Sequence, residues 1–70
     1  MTDEQCLLEG CKRDRDISQG IVDDIDKGAR HYCGPVGGVR SDFTAALRAR
    51  ESAIVTYLND FIAQLVDATV

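Results

Sequence analysis

Seventy residues allow one domain, residues 1–70, with a marginal core of the kind that needs a staple or an oligomer. An apolar share of 44% excludes wholesale disorder. Twelve acids against eight bases, a net charge of −4, exclude nucleic acid as the expected partner, because phosphate contact needs a local surplus of Lys and Arg.

At the start of the chain Thr2 is placed to cap a helix, and Gln5 three residues on completes the Thr-x-x-Gln capping box. Asp3 and Glu4 suit the positive end of the helix dipole. The spacing predicts a first helix over about residues 3–32, with Leu7, Cys11, Ile21, Ile25, Ala29 and Tyr32 on one face. That stripe passes through Asp14 and Ser18, so its middle is polar. A break near residues 13–16 is the alternative; the continuous helix is preferred because Glu9–Arg13, Asp23–Lys27 and Asp26–Arg30 are acid-before-base pairs at i,i+4. The run Lys12-Arg13-Asp14-Arg15-Asp16 alternates in sign and reads as a solvated surface.

Residues 34–40 are the clear punctuation. Gly34 suits the residue that closes a helix, Pro35 cannot continue one, and Gly37-Gly38 permit a tight reversal. Ser41 is read as the cap of a second helix over about residues 42–68. Its seam runs Leu47, Glu51, Ile54, Leu58, Phe61, Leu65 and Ala68, with a second apolar set, Val55, Ile62 and Val66, on a flanking face. A helix apolar on two sides needs more than one partner. The fold class expected is therefore all-α: an antiparallel helical hairpin that dimerises into a four-helix bundle or docks on another protein. Ile54, Val55, Leu58, Phe61, Ile62, Leu65 and Val66 form the expected interaction surface. Glu51 on the seam is within the level where Lys27 or Arg30 could pair with it, the alternative being that this half of the seam is partly solvated.

The chemistry-bearing residues are sparse. Cys6, Cys11, His31 and Cys33 are the types that bind zinc, so a small Cys/His metal-binding protein is the alternative reading. The Cys6-x4-Cys11 spacing diverges around a helix, and along a continuous helix Cys6 and Cys33 stand roughly 40 Å apart at about 1.5 Å per residue. The expectation is no cofactor and no metal. Cys33 with His31 lacks a third orienting residue, and the glycine-rich segment lacks the Gly-Lys-Ser/Thr ending of a phosphate loop. No catalytic site is expected. The first residues show no charged-then-apolar leader, the best apolar stretch, 53–66, is broken by Asn59, Asp60 and Gln64, and three is an odd number of cysteines. The expectation is a cytoplasmic protein with no membrane partner.

Tyr32-Cys33-Gly34 at mid-chain resembles the Trp-x-Gly turn of the small helical-hairpin proteins of type VII secretion. That resemblance implies a secreted helical hairpin. It covers one tripeptide and a topology: the aromatic is Tyr, and Phe61 rather than an acid stands four residues after Tyr57. The leading expectation is a small acidic protein–protein interaction module, such as a regulator, inhibitor or assembly component.

Overall fold

The computed structural model describes residues 2–69, with only the backbone of Thr69. Two long helices pack antiparallel: α1, Asp3–Asp26, and α2, Thr44–Thr69. Between them lie two-residue strands, β1, Tyr32–Cys33, and β2, Ser41–Asp42. The hairpin is all-α apart from this short ribbon.

α1 begins as its sequence predicts. Gln5 N–H donates to Thr2 Oγ1 (3.2 Å) and Thr2 N–H donates to Gln5 Oε1 (2.9 Å), so two backbone donors at the helix start are satisfied reciprocally. The helix runs unbroken through residues 13–16. It ends at Asp26 rather than Tyr32, because Gly28 (φ 111°) takes the closing position expected of Gly34. Gly28 N–H donates to Ile25 O (3.0 Å) and Ala29 N–H to Asp24 O (2.9 Å). This pair of bonds consumes the carbonyls that a further turn would need. In the sequence the Lys-Gly pair at residues 27–28 is a local stop signal, set against an apolar spacing that continues to Tyr32.

The connection is a tight ribbon and not an open loop. Tyr32 pairs with Asp42 and Cys33 with Ser41. Gly38 N–H donates to Pro35 O (3.0 Å), and Gly37 (φ 78°) takes the third place of that turn, as a type II turn requires. Gly34 has a different duty from the one expected. A Cβ there would lie 2.5 Å from Val39 O, so only glycine admits the return strand.

Ser41 is in β2 and does not cap α2. Asp42 does that work: its Oδ1 accepts from Thr44 N–H at 2.9 Å, an Asx-type turn that satisfies a donor at the helix start. The Thr44 hydroxyl also donates to Asp42 Oδ1 (2.5 Å), while Thr44 Oγ1 accepts from His31 N–H (2.8 Å). Phe43 N–H donates to His31 O (3.0 Å), and the His31 and Phe43 rings meet edge to face. This knot ties the start of α2 to the strand that leaves α1.

One register runs the length of the molecule. Arg48 bonds Asp26, Arg15 bonds Asn59, and Tyr32 pairs with Asp42; in each pair the residue numbers add to 74. Residues of α1 and α2 whose numbers add to about 74 therefore share a level along the hairpin. The molecule measures 52 × 21 × 15 Å, a single layer of two helices.

Candidate interaction surface

The face of α1 that meets α2 follows alternating steps of three and four: Leu8, Cys11, Arg15, Ser18, Val22 and Ile25. Cys11, Ser18 and Val22 are buried and the other three half-buried. The stripe read from sequence shares Cys11, Ser18 and Ile25 with this row and lies on average about 50° to one side of it, counting about 100° per residue. Leu7 is accordingly 48% exposed, whereas its neighbour Leu8 is half-buried. The true row was present in the spacing but hidden by Arg15, whose stem lies on the inner face.

On α2 the inward row is Thr44, Glu51, Val55, Leu58 and Ile62. α1 thus sits on the ridge between the two apolar sets predicted for α2. Ile62 is buried and Val55 and Leu58 half-buried along that ridge; Ile54, Phe61 and Leu65 are half-buried on one side of it, and Val66 is exposed on the other. Apolar burial is thin: among the described residues only Cys11, Val22 and Ile62 are buried apolar side chains.

Glu51 is the buried acid, 8% exposed. Among the described residues it forms no ion pair with Lys27 or Arg30. Both bases lie beyond the end of α1 and are exposed. The base nearest that end of α2, Arg48, grips Asp26 with two bonds of 2.7 and 3.1 Å.

The two flat faces of the layer differ. On one, Arg48–Asp26 and Arg15–Asn59 cross between the helices. In antiparallel helices, sides reached by the same sense of rotation share a face, so the opposite sides of both helices form the other face. It carries Leu7, Gly10, Asp14, Ile17, Ile21 and Ile25 from α1, and Leu47, Arg50, Ile54, Tyr57, Phe61 and Leu65 from α2. Ile17 is 58% and Tyr57 66% exposed, at one level of the hairpin. The rings of Tyr57 and Phe61 stack parallel, 6.3 Å apart. This is an apolar face two helices wide, interrupted by Asp14 and edged by Arg50.

The titratable groups displaced from their ordinary values belong to the scaffold. Asp42 is held below 3.8 chiefly by the Thr44 hydroxyl and then the Thr44 N–H, with smaller help from the charges of Arg30 and His31. Asp26 is held below 3.8 by its bond to Arg48 and then by that residue's charge. Carboxylates bound more tightly when folded stabilise the fold above their unfolded value and lose that contribution as pH falls through the lowered one. The melting temperature should hold steady down to about pH 5 and fall below about pH 4. An Asp26→Asn/Asp42→Asn double variant that declined as steeply as the parent would refute this assignment.

The zinc-type residues are dispersed. Cys6 and Cys11 lie toward the start of α1, Cys11 buried, whereas Cys33 is in the ribbon and His31 beside it. Among the described residues no group of three His, Cys, Asp or Glu side chains is poised to hold a metal. A shallow, open depression lies over Glu9, Lys12, Arg13, Arg15, Asp16 and Ile17 on α1; its charges pair locally, Lys12 with Glu9 and Arg15 with Asp16. Among the described residues no helix is long and apolar enough to cross a membrane. Comparison with protein-family models, curated proteins and solved structures gave no significant match to the chain.

Proposed function

We propose that the chain is a small protein–protein interaction module that acts by surface binding, as a regulator, inhibitor or assembly component, and whose working form is a self-associated four-helix bundle. The observation that carries this reading is the open apolar face of Leu7, Ile17, Ile21, Ile54, Tyr57 and Phe61 beside a core with few buried apolar side chains. Each such side chain gains roughly 1.5–3 kcal/mol on full burial, and contiguous apolar patches on small proteins mark interaction sites. Within the seven-residue surface proposed from α2, the members best placed for a partner are Ile54, Phe61 and Leu65, since Val55, Leu58 and Ile62 face α1. The role is binding and not catalysis, and a reducing compartment, the cytoplasm, suits a chain with three cysteines.

Sedimentation of the native chain from micromolar to millimolar concentration is the test, with Phe61→Asp as its probe. Phe61 lies beside the ridge that faces α1, so the hairpin should keep its helicity while the association constant falls roughly tenfold or more. A native chain that stays monomeric throughout would remove the self-association. Leu58→Asp is the contrasting variant: it places a charge against α1 and should unfold the hairpin itself.

A further inference from the structure

We propose that the open apolar face is covered by a second copy of the chain, related by a two-fold axis along the hairpin, so that α1 of each copy lies on α2 of the other. The inference rests on the self-association reading above and adds its occupant and its geometry.

Area argues for a partner of this size. The chain exposes 5151 Å², whereas a compact monomer of its 7.7 kDa should expose about 4,300 Å². The excess, about 800 Å², is what one side of a standard stable interface buries. The hairpin is 15 Å thick in its thinnest direction and 52 Å long, so a second identical layer converts a sheet of two helices into a bundle of matched length. The face is apolar on both helices and can therefore meet itself.

Charge selects the orientation. Residues 3–26 of α1 hold eight acids and three bases, a net −5, whereas residues 44–69 of α2 hold three acids and two bases, a net −1. An axis across the hairpin would stack α1 on α1 and oppose the two most acidic helices. An axis along it stacks α1 on α2 and keeps every residue at its own level. Ile17 then meets Tyr57, Ile21 meets Ile54, and Asp24 at the rim meets Arg50 of the second copy, since 24 and 50 share a level. Asp24 and Arg50 are both exposed, and neither forms an ion pair among the described residues.

The native cysteines read out the orientation. Cys6 and Cys33 are exposed near opposite ends of the hairpin. In dimer treated with a flexible bis-maleimide and mapped by mass spectrometry, the proposed axis gives Cys33–Cys33 links, because both ribbons stand at one end. The crosswise axis gives Cys6–Cys33 links. Charge reversal supplies the second readout. Asp24→Arg should weaken the dimer about tenfold, and adding Arg50→Asp should restore it to within about threefold. Dominant Cys6–Cys33 links, or a double reversal that rescues nothing, would overturn the geometry while self-association stood. A chain monomeric at millimolar concentration would overturn both.

Discussion

Replacing Glu51 by Leu should stabilise the hairpin by about 2 kcal/mol, because leucine would add apolar contact on the inner ridge of α2, where Glu51 is 8% exposed. Glu51 is buried on the ridge of α2, at the level of Val22 and Asp23, and forms no ion pair among the described residues. Leu in its place would extend the apolar contact of Val22 with α2. For a chain of this length, 1 kcal/mol corresponds to roughly 4–8 °C in melting temperature, so the variant should melt about 10 °C higher at equal protein concentration. A melting temperature equal to or below the parent's would show that Glu51 is well solvated or specifically bonded. The oligomeric state of the variant carries separate information. A buried polar residue on a helix seam fixes register and partner number at some cost in stability. If Glu51 has that duty, the more stable variant should also form larger or mixed assemblies.

The sequence made the two helices legible because their signals are local. Thr2 and Gln5 cap α1 as their spacing foretold, and the charge-rich segment around Arg13 stays helical. The end of α1 is not legible in the sequence because two principles compete there. Apolar spacing continues to Tyr32, but Gly28 adopts a backbone angle of 111° that no other residue takes cheaply, and the helix closes on it. The ribbon was invisible for a different reason. Two residues per strand are too few for an alternating pattern, and the pairing depends on Gly34 giving way to Val39 O across the turn.

That α2 is apolar on two sides was legible in its composition, but which side meets α1 was not. An abundance of apolar residues in α2 shows that the helix is apolar on more than one side. It does not show where α1 sits, because Leu58 and Ile62 are nearly as apolar as Ile54 and Phe61. The direction comes from long-range pairs, above all Arg48 with Asp26, which mark one face as polar and the other as apolar. In the sequence Arg48 has no local acid at i±4 to mark it as paired. Its role appears once the end of α1 is fixed at Asp26, which puts that carboxylate level with it.

Thr44→Val should cost about 2–3 kcal/mol, although the two side chains have nearly the same shape, because it leaves a shielded donor without its acceptor. Thr44 is 2% exposed, and its Oγ1 takes the His31 N–H at 2.8 Å while its proton goes to Asp42. Valine offers neither. The part-buried His31 N–H would lose its acceptor, and Asp42 would lose the main contact that holds its pKa down. Thr44→Ser isolates the hydroxyl from the methyl: it keeps both bonds and should cost about 0.8 kcal/mol, the worth of one buried carbon. Denaturant midpoints of the three proteins, taken at one concentration, order them as parent, Ser, Val. Amide exchange locates the effect, since the His31 N–H should lose protection in Thr44→Val and keep most of it in Thr44→Ser. The Val variant should also show a shallower loss of stability below about pH 4, because Asp42 then titrates nearer its unfolded value and contributes less of the linkage. Valine matching serine in midpoint would mean that packing, and not the hydrogen-bond knot, anchors α2 to the ribbon.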